Sequence, residues 1–287
     1  MLHRSTIQLL RFPFSYFLMP VFWFALSFVN IINWQHAFIA FLLIHVLLYP
    51  SSNGYNSYMD RDTGSIGGVE TPMQPTRELF YTTIVMDATG ILLSFFISWQ
   101  FAFGFIIYIL FSRLYSYRGI RLKRFPVIGY LAVIINQGAL IFAMVYNAAE
   151  RSANSSIPLQ ALIASAFLIG GFYPITQIYQ HKADAKDGVL TISMLLGKRG
   201  TFIFCACMYA IAFSILFLYY QNENKLGSFF VLQIFFVPVV VYFIKWMLQV
   251  WKNETYADFK NTMRMNLLAG TCTNLAFVTL IILQQIG

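Results

Sequence analysis

The stretch NSYMDRDTG, Asn56–Gly64, closes the apolar run 36–55 with an amide, two carboxylates and an arginine. A second polar stretch, YQHKADAKDG, Tyr179–Gly188, follows the apolar run 157–178 in the same way. One account has to cover both. Each run is long enough to cross a bilayer, which takes about 20 mostly apolar residues, and each ends in groups that bind cations.

The rest of the chain has the same character. Of 287 residues 59% are hydrophobic and only 10% are charged, against about 25% charged in an ordinary soluble domain. Mean hydropathy is +0.66. No soluble core could hide this much apolar surface, so the surplus faces lipid and the chain is an integral membrane protein. The net charge of +8 does not indicate nucleic acid, because most basic residues sit in short links between apolar runs, where they set membrane orientation. Cys205, Cys207 and Cys272 lie within apolar runs with no metal or disulfide spacing, and read as small hydrophobes. The N-terminal stretch has a basic start and no small-residue cleavage site, and reads as a short cytoplasmic lead into the first span.

Counting runs gives nine expected spans: 13–31, 36–55, 79–97, 99–116, 126–147, 157–178, 201–220, 228–249 and 266–286. Only Ser98–Gln100 divides the third from the fourth. Alternating the loops between two sides places the N-terminus and the loops 56–78, 117–125, 179–200 and 250–265 together. That side collects nearly all the basic residues outside the spans, and the other has only Arg151 and Lys225. The positive-inside rule makes the crowded side cytoplasmic, with the C-terminus outside. The expected fold is all-α and polytopic, with nine transmembrane helices around a central cavity open to lipid, in one domain over 1–287.

Both polar runs lie on the cytoplasmic side. Asn56, Asp60 and Gly64 are spaced four apart, as are Gln180, Asp184 and Gly188, which puts each trio on one helical face. Gln177 and His181 sit close to the second. Two such helices facing each other would offer hard oxygen ligands to Mg²⁺, which takes one or two carboxylates and fills its other positions with water and phosphate. The plain alternative is a helix end that turns polar at the interface, with Asp60 and Asp62 paired to Arg61 and Arg77. Matched spacing on the same side argues against it.

NSYMDRDTG and its continuation IGGVETPMQPTRE resemble the first aspartate-rich motif of the UbiA family of intramembrane prenyltransferases, the 4-hydroxybenzoate polyprenyltransferase-like enzymes. QIYQHKADAKDGVLTISMLLGKRG is similar to the second motif, and LYSYRGIRLKRFPVIG to the family's Tyr-x(n)-Leu-Lys element. The resemblance covers nearly the whole chain. Two positions depart from the acidic pattern: Gly64 in the first motif and Gln180 in the second.

The resemblance implies Mg²⁺-dependent transfer of a prenyl group from an isoprenoid diphosphate to an acceptor, usually aromatic, beside membrane lipid. It implies Asn56, Asp60, Asp184 and Gln180 as metal ligands, with Asp62 and Asp187 in reserve. Lys123 matches the Leu-Lys element and is the expected diphosphate clamp, ahead of Arg61 and Arg124. Tyr115, Tyr117 and Tyr179 adjoin motif residues, where aromatic faces could stabilise an allylic cation; interfacial belt tyrosines are the bland alternative. Within the spans, Asp87 is either an acceptor-site base or the partner of an arginine. His45 reads as packing, and Asn136 and Gln137 either contact acceptor or link helices. A transporter is the competing class, but transporters tend to place coupling sites near the bilayer midplane, and these motifs sit at its edge. Gln180 keeps a third alternative, a non-catalytic isoprenoid-binding protein.

Overall fold

The computed structural model describes residues 2–152 and 155–286; residues 1, 153, 154 and 287 of the expected 1–287 unit lie outside it. The described chain is helical, with only isolated bridges and no strand. Its long helical units are α1 (Arg4–Leu26), α2 (Trp34–Asp60), α3 (Arg77–Ser94), α4 (Trp99–Ser116), α5 (Pro126–Ala149) and α6 (Leu159–Gln177). A short helix α7 (His181–Lys186) precedes α8 (Ile192–Asn222), α9 (Leu226–Lys252) and α10 (Phe259–Gln285).

Local chemistry sets where these helices begin. Asn33 Oδ1 accepts from His36 N–H at 3.3 Å, Ser98 Oγ from Phe101 N–H at 3.1 Å, and Thr191 Oγ1 from Met194 N–H at 3.3 Å. Each satisfies one of the orphan amides of a helix N-terminus. Pro126 opens α5, where its missing N–H costs nothing. Ser98 thus separates α3 from α4 as the sequence suggests.

The expected count of nine spans needs correcting. Among the described residues, seven helices are long and apolar enough to cross a membrane by length and composition, and α3 and α4 are not among them. Each has only 18 residues. α3 carries Arg77, Glu78 and Asp87, and α4 carries Arg113 after a Trp99–Gln100 start, so both fall short in apolar content. The expected bounds shift too: α1 begins at Arg4 and kinks at Arg11, and α8 begins at Ile192 and bends at Gly197, where φ is +68°.

The helices close into a ring in which α1 packs on both α2 and α10, α2 on α3 and α4, α4 and α6 on α5, and α8 on α6 and α9. A seam of buried aromatic rings joins α1, α5 and α10: Phe24 lies 4.8 Å from Phe277 and 5.4 Å from Phe142, and Phe28 lies 5.8 Å from Phe142. Large apolar side chains also cover the outside, with Phe96 76% and Leu92 70% exposed. Such a surface suits hydrocarbon and not water.

Close helix contact depends on small residues where lipid offers no hydrophobic drive. Gly138, in the π-helical turn Ile134–Leu140 of α5, is the tightest backbone contact: a Cβ there would lie 2.7 Å from Ala166 Cα and 2.9 Å from the Ser165 carbonyl oxygen. Both neighbours are backbone and cannot swing aside. Gly138→Leu is therefore expected to destabilise the α5–α6 contact by about 1–3 kcal/mol, read as a lower Tm in detergent. An unchanged Tm would mean that these helices separate without cost.

Candidate active site

The site forms where α2, α4 and α6 end on the same side of the ring. α2 stops at Asp60, because Arg61 adopts a left-handed conformation (φ 53°) and its N–H turns back to the Ser57 carbonyl. Asn56 and Asp60 therefore share a face one turn apart, and Asn56 Nδ2 donates to Asp60 Oδ2 at 2.9 Å and to Ser116 Oγ at 3.0 Å. With the amide hydrogens committed there, its carbonyl oxygen is available to a ligand. Gly64 falls beyond the helix and does not share this face. The second run departs in the same way: α6 ends at Gln177, Gln180 caps α7, and Gly188 follows α7 with φ +66°. The expectation of two continuous helical faces is thus corrected to one turn of helix in each motif.

The 117–125 loop ties the two runs together. Lys123 Nζ donates to Asp60 Oδ2 at 2.5 Å, and Arg121 lies 3.4 Å from Asp60 Oδ1. Arg121 also pairs with the Asp187 carboxylate and donates to its carbonyl at 2.9 Å. Arg118 reaches Asp187 Oδ1 at 3.3 Å and the Met59 carbonyl at 2.7 Å. Both polar runs are thereby held on a single basic loop.

Of these groups, Asp60, Lys123 and Asp187 line a cavity that also receives Asp62, Asp184 and, from the kink in α1, Arg11. Burial pushes Asp184 up to about 6; Asp62, Asp60 and Asp187 add to the rise and Lys123 opposes it. Asp62 is likewise raised, first by burial and then by Asp60. Burial also acts on Asp187, but its pairing with Arg121, aided by Arg118 and Lys123, outweighs it and holds the carboxyl below its ordinary range. Asp60 and Asp187 already have cationic partners. Asp184, among the described residues, has no ion pair or side-chain hydrogen bond, and its raised pKa marks a place where added positive charge is favourable.

Of the residues singled out from sequence, Asn56, Asp60, Asp184, Gln180, Lys123, Tyr115 and Tyr179 all line this cavity, as do Gln177, Asn136 and Gln137. Arg61 and Arg124 do not: both are exposed, one over the Tyr58 ring at 5.8 Å and the other over the Phe125 ring at 4.7 Å. Tyr117 is exposed and His181 bonds Ser193 Oγ at 2.8 Å, both outside the lining. Asp87 is an arginine's partner: Arg113 Nε donates to it at 3.0 Å, Ser51 Oγ at 2.5 Å, and the guanidinium sits 3.9 Å from the Tyr55 ring. His45 stacks on Phe41 with centroids 4.3 Å apart.

Sequence reasoning missed Arg11, Arg121 and Tyr173 as members of the site. Arg11 is buried and donates to the carbonyls of Asn53 at 3.2 Å and Gly67 at 3.4 Å. A lone arginine ahead of Pro13 in an apolar run was its only signal. Tyr173 hydrogen-bonds Tyr115 hydroxyl to hydroxyl and receives Gln177 Nε2 at 2.7 Å.

The donor set bears on which cation would fit. Among the described residues no three His, Cys, Asp or Glu side chains form a group able to hold a metal by themselves. Carboxylate and amide oxygens facing one cavity with Lys123 between them suit a hard ion that completes its shell with phosphate and water, as Mg²⁺ does. Gln180 Nε2 donates to the Ser65 carbonyl and Tyr179 hydroxyl, both at 3.3 Å, which ties it to the rim.

A family model described as the UbiA prenyltransferase family matches residues 17–268. A search of curated protein sequences finds no match. Among solved structures, a UbiA homologue from Archaeoglobus fulgidus bound to DMAPP and Mg²⁺ is similar at 17% identity and TM-score 0.67, covering 96% of this chain and 99% of the other. An apo UbiA homologue from Aeropyrum pernix K1 is similar at 16% identity and TM-score 0.67, over 94% and 98%. A digeranylgeranylglyceryl phosphate synthase is similar at 17% identity and TM-score 0.61, over 97% of each chain. At these identities the likeness is one of fold.

Proposed function

This chain belongs to the UbiA prenyltransferase family, and we propose that it transfers a prenyl group from an isoprenoid diphosphate to a small acceptor, aromatic by family resemblance, within the membrane. The whole chain, 1–287, acts as one unit, with the N-terminus and both motif loops cytoplasmic and the C-terminus outside. The observation that carries this reading is that Asn56, Asp60 and Asp184, from two separate motifs, share one cavity with Lys123 and Arg11.

Asn56, Asp60, Asp184 and Gln180 would hold Mg²⁺. When bound, the ion supplies positive charge to the diphosphate as its C–O bond breaks. Lys123 and Arg11 present fixed cations to the remaining phosphate oxygens, and because the cavity is largely buried they act with little screening. The Asp60–Lys123 pair sets an acid and a base side by side, so one meets metal while the other meets phosphate. The Tyr115 and Tyr173 rings, joined by their hydroxyls, line the same cavity and would offer an allylic cation aromatic surfaces that favour it without attacking it.

The test is release of diphosphate from geranyl diphosphate by the purified protein in liposomes, with Mg²⁺ and with chelator. Release that needs Mg²⁺ supports the enzyme. Retention of the donor without release overturns the enzyme in favour of the non-catalytic isoprenoid-binding protein, and the absence of both release and retention overturns the isoprenoid reading altogether.

The raised pKa of Asp184 sets the expected pH dependence. Protonation near pH 6 removes the charge that attracts the cation, so metal and proton compete. The Mg²⁺ concentration for half-maximal activity should fall as pH rises from 5 through about 6 and then level. A flat profile would separate Asp184 from the metal.

A further inference from the structure

The charged cavity meets a second, apolar space at a single side chain. Along α6, Phe172, Tyr173, Thr176 and Gln177 line the cavity, whereas Phe172, Ile169, Leu168 and Ser165 line a slot leading away from the motif end. Among the described residues only Phe172 belongs to both. The slot passes Val21 and Phe24 of α1, Phe236 of α9 and Phe277 of α10, and no charged residue lines it. Its two small hydroxyls are spent on backbone: Ser165 Oγ donates to the Gly138 carbonyl at 3.2 Å and Thr273 Oγ1 to the Ala269 carbonyl at 2.6 Å. Phe24 and Phe277, 1% and 2% exposed with centroids 4.8 Å apart, meet at its deep end. The cavity's other inner wall, with Ser52, Ser112, Asn136 and Gln137, is polar.

We infer that Phe172 and Leu168 determine donor chain length: the tail turns past Phe172 into the slot, and the site takes a donor longer than geranyl. This rests on the proposed prenyl transfer. With the diphosphate among the charged groups, the first unit lies beside Tyr115 and Tyr173 and the next reaches Phe172. The polar inner wall is closed to the tail, because hydrocarbon there would strip polar groups of water without replacing its hydrogen bonds. From Phe172 to Ser165 α6 rises about 10 Å. An isoprene unit adds four chain bonds, about 5 Å when extended, since three bonds carry one Cα about 3.8 Å to the next. The slot thus holds about two further units. Lipid is as apolar as the slot, so burial alone gives a long tail no preference for the protein. Fit decides instead. Side chains facing an empty space forgo dispersion contacts that a tail of the right length restores, and a longer one meets the Phe24–Phe277 pair.

The test is equilibrium binding of radiolabelled geranyl and farnesyl thiolodiphosphates, which resist cleavage, to the full chain in nanodiscs with Mg²⁺. Binding to protein-free nanodiscs is subtracted, and the farnesyl-to-geranyl affinity ratio is compared between variants, so that partition into lipid cancels. The parent should bind the farnesyl probe at least as tightly as the geranyl one. Leu168→Trp, which fills the slot, and Phe172→Trp, which narrows its entrance, should each lower the ratio by about tenfold. Where a tryptophan also abolishes geranyl binding, Leu168→Phe, a smaller change, is read in its place. A parent that favours geranyl, or a ratio that survives either change, overturns the inference. Absence of Mg²⁺-dependent geranyl binding by the parent sinks the proposed function instead, whereas its presence with an unmoved ratio sinks only the length assignment.

Discussion

Asp184→Ala is expected to abolish Mg²⁺-dependent diphosphate release, by roughly 10³-fold or more, while leaving the protein as stable as before. The separation follows from its surroundings. Asp184 has no side-chain partner among the described residues to lose, and its folded pKa of about 6 lies above the ordinary carboxylate value. The sign follows from linkage: a raised carboxyl pKa means that the ionised group disfavours the fold, so the penalty is absent at low pH and grows as pH rises toward and through 6. At pH 8 the alanine variant should melt at the same temperature as the parent or slightly higher. Differential scanning fluorimetry beside turnover in liposomes checks both halves. Retained turnover would return Asp184 to a polar helix end, and a large fall in Tm would make it a structural group.

Lys123→Met should lower turnover by about 10²–10³-fold, the usual effect of removing one preorganised charge from a buried reaction centre. It differs from the first case because Lys123 has a partner. Its ammonium lies 2.5 Å from Asp60, and their side chains are 10% and 4% exposed. Losing one member of a buried pair costs about 3–5 kcal/mol when the other charge is left bare; Arg121 at 3.4 Å from Asp60 reduces this. Tm should therefore fall as well. Adding Asp60→Asn to Lys123→Met removes the orphaned charge and should recover most of the lost Tm without recovering turnover. A double variant that regains activity would mean the pair serves the fold and not the diphosphate.

Much of the site was legible because its two motifs are local. The four-residue step from Asn56 to Asp60 fixes their common face through helix geometry alone, and the Leu122–Lys123 element marks the cation that meets them. Asp87 stood open in the sequence, since a polar side chain inside a span has several uses, and Arg113 decides it; His45, read as packing, stacks on Phe41. Gly64 and Gly188 were misplaced because the same period was carried past the point where each helix stops. Arg61 closes α2 in a left-handed turn without the glycine that usually announces one.

The sequence by itself determined the membrane class, the helices and the common side of the two polar runs, because apolar content, run length and loop charge are additive along the chain. Tertiary structure alone decided that Arg11 and Tyr173 enter the cavity and that Arg61 and Arg124 leave it. It also decided that Arg121 joins Asp60 to Asp187, and that Asn136 keeps an unpaired oxygen. The physical reason lies in the solvent. A helix facing lipid is apolar all round and carries no polar stripe to say which side turns inward. Its rotation is set instead by close packing against neighbours, as where Gly138 admits the backbone of α6.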